Sequence, residues 1–305
     1  MSTDEATTIL GRLSEELANA VQHAAAATVT VYARRRLPGS GMVWSAGGDI
    51  VTANHVVERD DEITIGLPDG STVPARLIGR EPGVDLALLR AETNDLTPIA
   101  RSAIAPRVGH LALAIGRPGA GDPMASFGAI STVGGAWRTP HGAMVEGYLR
   151  ADVAMLPGFS GGPLVDGAGA AIGLNSSTLG RGGGLTIPLG AIDAVVAALQ
   201  AHGKVRRGYL GVGTQQVRLP DALVNAQALP ESRALLILSL EPDSPADRGG
   251  LLLGDIIVAI EGAAVTDVEG LQDQLSGERV GQPLTLRLVR GGELRDVTVM
   301  VGERG

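Results

Sequence analysis

The residue best suited to chemistry is Ser160, which lies in the segment Leu156–Val165 with the sequence LPGFSGGPLV. Gly158, Gly161 and Gly162 let the backbone bend sharply there and leave its N–H groups uncovered. A serine hydroxyl is a weak nucleophile unless a base takes its proton. The loop therefore predicts catalysis only together with a base, since a Ser-Gly-Gly-Pro run alone is also an ordinary turn.

A base and a carboxylate precede this serine in the chain. His55 lies in Ile50–Val57 (IVTANHVV), and Asp85 lies in Gly83–Leu88 (GVDLAL). A serine hydrolase needs an imidazole as base and a carboxylate that fixes the tautomer of that imidazole. Each residue alone has a structural interpretation, as a core histidine or a strand cap. Together, in the order His, Asp, Ser, they predict the catalytic triad of chymotrypsin-like double-barrel proteases.

Such an enzyme also needs N–H donors where negative charge develops on the substrate. Gly158 lies two positions before Ser160, so its N–H can lie beside the N–H of the serine. Phe159, between them, supplies one more backbone N–H. We predict that these three residues form the oxyanion hole.

The elements that would position these residues are mostly short strands. Residues 1–26 form a helical segment, because apolar residues recur at every fourth position from Ile9 to Val21. Residues 27–202 then read as many short strands separated by Gly and Pro turns, closed by a helix from Pro188 to Ala201. This pattern predicts a mainly β domain built as an antiparallel barrel or sandwich.

A second, smaller α+β domain follows. Residues 203–207 form a polar linker, and residues 208–303 contain alternating strands and two short helices. One helix begins at Ser244-Pro245, and the other extends from Asp267 to Leu275. A length of 305 residues agrees with two domains.

Composition excludes several classes of function. A net charge of −8 argues against a nucleic-acid partner, because phosphates require a basic surface. The absence of cysteine excludes disulfides, a thiolate nucleophile and cysteine-ligated metals; we expect no metal or other cofactor. Neither a basic start with an apolar core nor a long apolar run is present, which predicts a cytoplasmic protein as the sequence stands.

The first domain resembles the protease domain of the HtrA (DegP/DegQ-type) serine proteases. The stretches that carry the resemblance are Gly39–Gly41, Thr52–Val57, Val84–Leu89, Val108–Pro118, Gly128–Ser131, the Ser160 loop and Gly182–Pro188. The resemblance implies a chymotrypsin-like double β-barrel. It also implies that Ser160 is the nucleophile, that His55 is the general acid and base, and that Asp85 orients His55. Relatives of this kind work mostly in the bacterial envelope, which would require a start site upstream of Met1.

The second domain resembles a PDZ domain. Tyr209, Leu210, Gly211 and Val212 match the loop whose N–H groups hold a peptide's terminal carboxylate. A strand edge beside the helix from Asp267 to Leu275 would accept an extended peptide by strand addition. The resemblance thus implies that peptide C-termini or extended segments bind there.

The residue six positions before Ser160 indicates which substrate side chains the enzyme would prefer. Trypsin-like enzymes that cut after Lys or Arg carry Asp there, whereas this chain has Ala154. We expect Ala154, Leu185 and Thr186 to line the pocket for the residue before the scissile bond, P1. Without a counter-ion, this pocket favours a small or medium aliphatic side chain.

Two departures from the family pattern leave alternatives open. Phe159 stands where the family usually has Asn, and no aromatic residue occurs in the first 31 residues, where the family has trimer contacts. The resemblance implies an ATP-independent endopeptidase for unfolded or damaged proteins, which can form a homotrimer. The alternatives are a catalytically silent peptide-binding or chaperone-like protein and a scaffold in which the protease fold only sets oligomer geometry.

Overall fold

The computed structural model describes residues 8–35, 37–119, 121–139, 143–180, 184–275 and 277–303. The chain divides into two compact units, Met1–Val205 and Arg206–Gly305, and this division lies within the predicted linker. The predicted N-terminal segment is described from residue 8, and the glycine-rich run Gly182–Pro188 from Gly184. Among the described residues, no helix is both long and apolar enough to cross a membrane.

The first unit begins with helix α1 (Ile9–Ala25), where the Thr8 side chain accepts a hydrogen bond from the Gly11 N–H. Only the second half of α1 reaches the core, through Ala20 and Ala24. At its start, Ile9 is 78% exposed. The apolar stripe predicted along the whole helix therefore packs along only part of its length.

Six antiparallel strands follow and close into a barrel. The strands are β1 (Thr28–Tyr32), β2 (Gly39–Val43), β3 (Asp49–Ala53), β4 (Ile63–Gly66), β5 (Thr72–Glu81) and β6 (Leu86–Ala91). Their order around the barrel is β1-β2-β3-β6-β5-β4. Because aromatics make up only 2% of the chain, the interior is packed with branched aliphatic residues such as Val29, Ile50 and Leu88.

A second closed barrel has the strand order β11-β14-β13-β12-β7-β8. Its strands are β7 (Leu111–Gly116), β8 (Met124–Gly134), β11 (Tyr148–Ala151), β12 (Pro163–Val165), β13 (Ala171–Ser176) and β14 (Leu185–Pro188). A small hairpin of β9 (Trp137–Arg138) and β10 (Met144–Val145) lies between β8 and β11 in the chain. Helix α2 (Leu189–His202) packs on both barrels and ends at Gly203, whose φ is +70°.

The described part of the second unit contains a main sheet, a smaller two-stranded sheet and short helices. Its strands are β15 (Gly208–Tyr209), β16 (Val212–Arg218), β17 (Arg233–Leu240), β18 (Ile256–Ile260), β19 (Ala263–Ala264), β20 (Pro283–Arg290), β21 (Glu293–Met300) and β22 (Gly302–Glu303). The helices are α3 (Asp221–Ala226), α4 (Pro245–Arg248) and α5 (Val268–Asp273). In the main sheet the order is β16-β17-β18-β20-β21, with β19 paired to β18, so β16 is an edge strand.

The predicted fold class, a mainly β double barrel followed by a smaller α+β unit, is confirmed. The predicted hairpin of β20 and β21 is also confirmed, with Leu284 opposite Val299. Helix α5 is shorter than predicted at its C-terminal end, and it begins after Asp267, whose side chain accepts from the Gly270 N–H at 2.8 Å.

Candidate active site

Two neighbouring strands of the first barrel bring His55 and Asp85 together. His55 lies in a one-turn helix, Asn54–Val56, directly after β3, and Asp85 directly precedes β6. Strands β3 and β6 pair with Ala53 opposite Leu86. The histidine and the aspartate are 30 positions apart in sequence, but this register places them side by side.

The His55 ring is held by the Asp85 carboxylate on one side. The His55 Nδ1 lies 2.8 Å from Asp85 Oδ2 and 3.0 Å from Oδ1. The backbone N–H of His55 also donates to Oδ1 at 2.9 Å. A carboxylate at Nδ1 favours the tautomer with its proton there, which leaves Nε2 as an acceptor. This is the state that a general base requires.

The Asp85 carboxylate is nearly enclosed, with 4% of the residue exposed. Burial alone would raise the pKa of Asp85. The hydrogen bonds and charge of His55, together with the hydrogen bond from the Ser176 hydroxyl, lower the pKa by more than burial raises it, so it lies below its usual value. The hydroxyls of Ser176 and Thr178 both donate to Oδ2, that of Thr178 at 2.9 Å. Asp85 itself lies in the left-handed region, with a φ of +55°, a strained position for a non-glycine residue.

The loop before β12 presents Ser160, and two of its glycines are sterically required. Gly158 has a φ of +88°, and a Cβ there would lie 2.3 Å from the Pro118 Cβ. Gly161 has a φ of +87°, and its Cβ would lie 2.0 Å from the Ser40 carbonyl oxygen. No side chain fits at either position without moving the backbone, so the glycines are needed for close packing of this loop.

Ser40, in β2, fixes the loop from behind. Its N–H donates to the Ser160 carbonyl at 3.0 Å, and its hydroxyl donates to the Gly158 carbonyl at 2.7 Å. The same hydroxyl accepts from the Arg117 N–H at 2.8 Å. The Arg117 guanidinium in turn donates to the carbonyls of Ala25, Thr28 and Gly121. A network from α1 through Ser40 thus positions the loop, a role that the sequence did not reveal.

Of the predicted oxyanion-hole residues, two have N–H groups without a protein acceptor. Within the described part of the chain, the N–H groups of Gly158 and Ser160 donate to no protein group. The Phe159 N–H instead donates to the Leu156 carbonyl at 3.1 Å. The prediction of a third donor at Phe159 is therefore corrected, because a turn already uses that N–H.

The Phe159 side chain points into the second barrel. It is completely buried, in a cluster with Ala112, Ala114, Ile130, Leu149, Leu164 and Ile172. It packs where Gly116 leaves space, since a Cβ at Gly116 would lie 2.4 Å from its Cδ1. The ring is therefore part of the core of the second barrel and is not exposed at the surface of the loop.

Ser160 is connected to His55 through Ser177, whose hydroxyl lies near both side chains. The Ser160 hydroxyl donates to Ser177 Oγ at 2.9 Å and accepts from the Ser177 N–H at 3.2 Å. Ser177 Oγ lies 3.5 Å from His55 Nε2. Sequence reasoning missed the hydroxyl run Ser176–Thr178, although three adjacent hydroxyls at a strand end were a usable signal.

A small cavity adjoins the loop that contains Ser160. It is lined by Ala151, Val153, Met155, Asn175, Gly184, Leu185 and Thr186, none of which is charged. Backbone hydrogen bonds link Asn175 to Gly161 and Gly162. Leu185 and Thr186 line this cavity, whereas Ala154 is exposed and does not line it. The prediction for Ala154 is corrected: its neighbours Val153 and Met155 face inward, as alternation along an extended segment requires.

In the second unit, Tyr209 ends β15, Val212 begins β16, and Leu210 and Gly211 lie between the two strands. Gly211 has a φ of +82°, and a Cβ there would lie 2.3 Å from the Ser244 Cβ. Within the described part of the chain, the N–H groups of Leu210 and Gly211 donate to no protein acceptor. Edge strand β16 contacts α5. Two unengaged N–H groups at the start of an edge strand suit a peptide carboxylate.

The comparisons with known proteins cover both units. Residues 39–174 match the family described as trypsin-like peptidase domain, and residues 208–301 match the PDZ domain family. A probable periplasmic serine endoprotease DegP-like of Pseudomonas fulva is 36% identical over 270 residues, which are 87% of this chain and 55% of that protein. The protein of the same name from Halomonas elongata is 35% identical, over 88% of this chain and 57% of its own length. The chain thus spans little more than half the length of these relatives.

Among solved structures, the HtrA-type protease AlgW with decapeptide has a TM-score of 0.76 and 30% identity, covering 95% of this chain and 99% of that one. AlgW with tripeptide has 34% identity and a TM-score of 0.73, with 95% and 97% coverage. A serine endoprotease from Yersinia pestis has 28% identity and a TM-score of 0.77, with 95% and 98% coverage. The likeness therefore extends over both units.

Proposed function

This chain belongs to the HtrA-type serine proteases, and we propose that it is an ATP-independent serine endopeptidase that cleaves unfolded or damaged proteins. The observation that carries the proposal is the pairing of His55 with the buried Asp85, in one cluster with Ser160. In this proposal residues 27–202 form the protease domain and residues 208–303 the PDZ domain.

The proposed mechanism assigns each residue of the cluster a step. Ser160 Oγ attacks the peptide carbonyl while His55 Nε2 takes its proton, and Asp85 stabilises the imidazolium that forms. The N–H groups of Gly158 and Ser160 hold the oxyanion. His55 then gives the proton to the leaving amine as the C–N bond breaks, which leaves an acyl-enzyme. Water, deprotonated by His55, attacks this ester, and Ser160 recovers its proton as the acid is released.

The uncharged cavity beside the loop supports a preference for small or medium aliphatic P1 residues. A lysine or arginine side chain would lose its hydration there without meeting a carboxylate. We therefore expect cleavage after residues such as valine and alanine, and much slower cleavage after arginine.

The proposed second site is the groove between β16 and α5, which would bind a peptide C-terminus or an extended segment. Its support is the free edge of β16 and the unengaged N–H groups of Leu210 and Gly211. The AlgW structures with decapeptide and tripeptide show that relatives of this kind bind peptides. A homotrimer, which the family resemblance suggests, stays a prediction that light scattering can test.

We propose that the protein works in the periplasm, the compartment named for the DegP-like relatives, in place of the cytoplasm expected from the sequence. The catalytically silent alternative is not favoured. Phe159, the residue that raised it, is buried in the barrel core away from the cluster.

The test is degradation of reduced, unfolded casein by purified protein. The wild type should degrade casein, and Ser160→Ala should abolish degradation. Ser131→Ala, which removes a hydroxyl that donates to the Arg150 carbonyl, is the matched control and should act like the wild type. Equal degradation by the wild type and Ser160→Ala would contradict the proposal.

A further inference from the structure

Ser177 has no step in the mechanism above, yet its hydroxyl lies between the nucleophile and the base. The Ser160 hydroxyl donates to Ser177 Oγ at 2.9 Å, and Ser177 Oγ lies 3.5 Å from His55 Nε2. The Ser177 N–H also donates to Ser160 Oγ at 3.2 Å. Ser160 therefore exchanges two hydrogen bonds with a single residue that is not its base.

These two hydrogen bonds use the hydroxyl proton of Ser160 and one of the two lone pairs of its Oγ. Attack requires the Ser160 proton to point at His55 Nε2 and a lone pair of Oγ to face the substrate. Here the Ser160 hydroxyl donates to Ser177 Oγ, and one lone pair of Ser160 Oγ accepts from the Ser177 N–H. Within the described part of the chain, no direct hydrogen bond joins Ser160 Oγ to His55 Nε2.

The position of Ser177 is fixed by its neighbours. Ser176 and Thr178 donate to the Asp85 carboxylate, and the Leu179 N–H donates to Ser176 Oγ at 3.3 Å. On the other side Gly184 approaches closely, since a Cβ there would lie 3.2 Å from the Ser177 Cα. The residues on either side of Ser177 are thus held by the same carboxylate that contacts His55, and this keeps Ser177 beside Ser160.

We propose that Ser177 is a positioning residue that restrains Ser160 in a resting orientation and so slows acylation. The inference rests on the proposed function, because it concerns the same nucleophile. A proton relay through Ser177 fits the geometry less well. Its 3.5 Å separation from His55 Nε2 exceeds the reach of about 2.6–3.2 Å for proton transfer, whereas its 2.9 Å bond to Ser160 is a full hydrogen bond.

The test is the rate constant at which a fluorophosphonate labels Ser160 at saturating probe, measured with the apparent affinity for the probe. Ser177→Ala should raise the rate constant roughly two- to tenfold, as expected for loss of one hydrogen bond, without changing the affinity. Ser177→Thr keeps the hydroxyl and should label at the wild-type rate. Ser131→Ala is the control for removal of a hydroxyl elsewhere on the first unit. Ser177 is exposed, so these variants should fold.

An unchanged rate in Ser177→Ala would overturn the restraint, and a slower rate would overturn it in favour of a relay. Labelling of Ser177→Ala but not of the wild type would support the restraint in its strongest form. Labelling of neither protein would overturn the proposed function and the restraint with it. Failure of the restraint alone is therefore distinguishable, because the wild type would still be labelled at Ser160.

Discussion

Each unit of the molecule contains a buried aspartate directly before a strand. Asp85 precedes β6 and is 4% exposed, and Asp255 precedes β18 and is 1% exposed. For both, burial would raise the pKa, but hydrogen bonds outweigh it and the pKa lies below its usual value. By burial and pKa alone the two carboxylates are alike.

Their partners differ. Asp255 receives two hydrogen bonds from the Arg290 guanidinium, both at 2.7 Å, and one from the Leu252 N–H at 2.8 Å. Asp85 receives its hydrogen bonds from an imidazole, two hydroxyls and a backbone N–H, and it lies in a strained backbone region. Arginine stays charged at all working pH values, whereas imidazole can gain and lose a proton.

The chemistry of the partner, more than the perturbed pKa, therefore distinguishes the carboxylate proposed to act in catalysis from the structural one. A permanent guanidinium neutralises Asp255 and fixes the start of β18. In the proposed mechanism, an imidazole partner lets Asp85 stabilise a charge that forms only during the reaction. Perturbed pKa values occur at both kinds of site.

The largest expected effect separates the two aspartates directly. Asp85→Asn should lower kcat on a peptide ester about 10⁴-fold, because an amide at that position favours the wrong imidazole tautomer. Asp255→Asn should leave kcat near the wild-type value but lower the unfolding free energy of the second unit by about 2–3 kcal/mol, since it leaves Arg290 without its counter-ion. The measurements are steady-state kinetics and chemical denaturation of both variants. An equal loss of kcat in the two variants would contradict the distinction between a catalytic Asp85 and a structural Asp255.

The next effect concerns the loop that faces the His55–Asp85 pair. Gly158→Ala should reduce kcat by about 10²–10³, because a Cβ at this positive φ displaces one oxyanion donor. Gly190→Ala is the matched control, since a Cβ at that helical glycine meets no atom within 4 Å. Wild-type kcat in Gly158→Ala would show that this N–H is not an oxyanion donor.

A smaller effect is expected behind the loop. Ser40→Ala removes the hydroxyl that holds the Gly158 carbonyl and accepts from the Arg117 N–H. We expect kcat to fall about tenfold and the unfolding free energy of the first unit to fall by about 1–2 kcal/mol. The kinetic measurement discriminates: lower stability with unchanged kcat and KM would make Ser40 a structural residue only.

The smallest expected effect is the pH dependence of the stabilisation that Asp255 gives to the second unit. The pKa of Asp255 lies below 3.8 in the folded state, so its stabilisation is present above that pH and is lost as pH falls through the folded value. The difference in unfolding free energy between the wild type and Asp255→Asn should therefore be constant from about pH 5 to 7 and shrink below about pH 4. Urea titrations over this range measure it. A difference that grows as the pH falls would contradict a lowered pKa for Asp255 in the folded state.

Much of the fold could be predicted because it depends on local patterns. Short apolar runs between Gly or Pro turns predicted an antiparallel barrel or sandwich, and alternating apolar residues predicted the β20–β21 hairpin. The double barrel was implied by the resemblance to the HtrA proteases. The features that the sequence did not predict depend on the direction in which a side chain points. The sequence around Phe159 does not show that its ring turns into the space beside Gly116.

Pairings between distant segments also escaped prediction. The link from Ser40 to Gly158 spans 118 positions, and that from Ser177 to Ser160 spans 17. Serine hydroxyls bond to whichever groups the fold brings near, so their roles carry no periodic signal. Ala154 was misplaced for a related reason, since one residue of register decides whether a side chain lines the cavity or faces solvent.

The most direct test of the central claim is mass-spectrometric mapping of a fluorophosphonate adduct on the intact protein. If Ser160, His55 and Asp85 form one working site, the wild type should carry a single adduct, located on Ser160. The Ser160→Ala and His55→Ala variants should carry none, and Asp255→Asn should be labelled like the wild type. An adduct on another serine, or equal labelling of Ser160→Ala, would contradict the account.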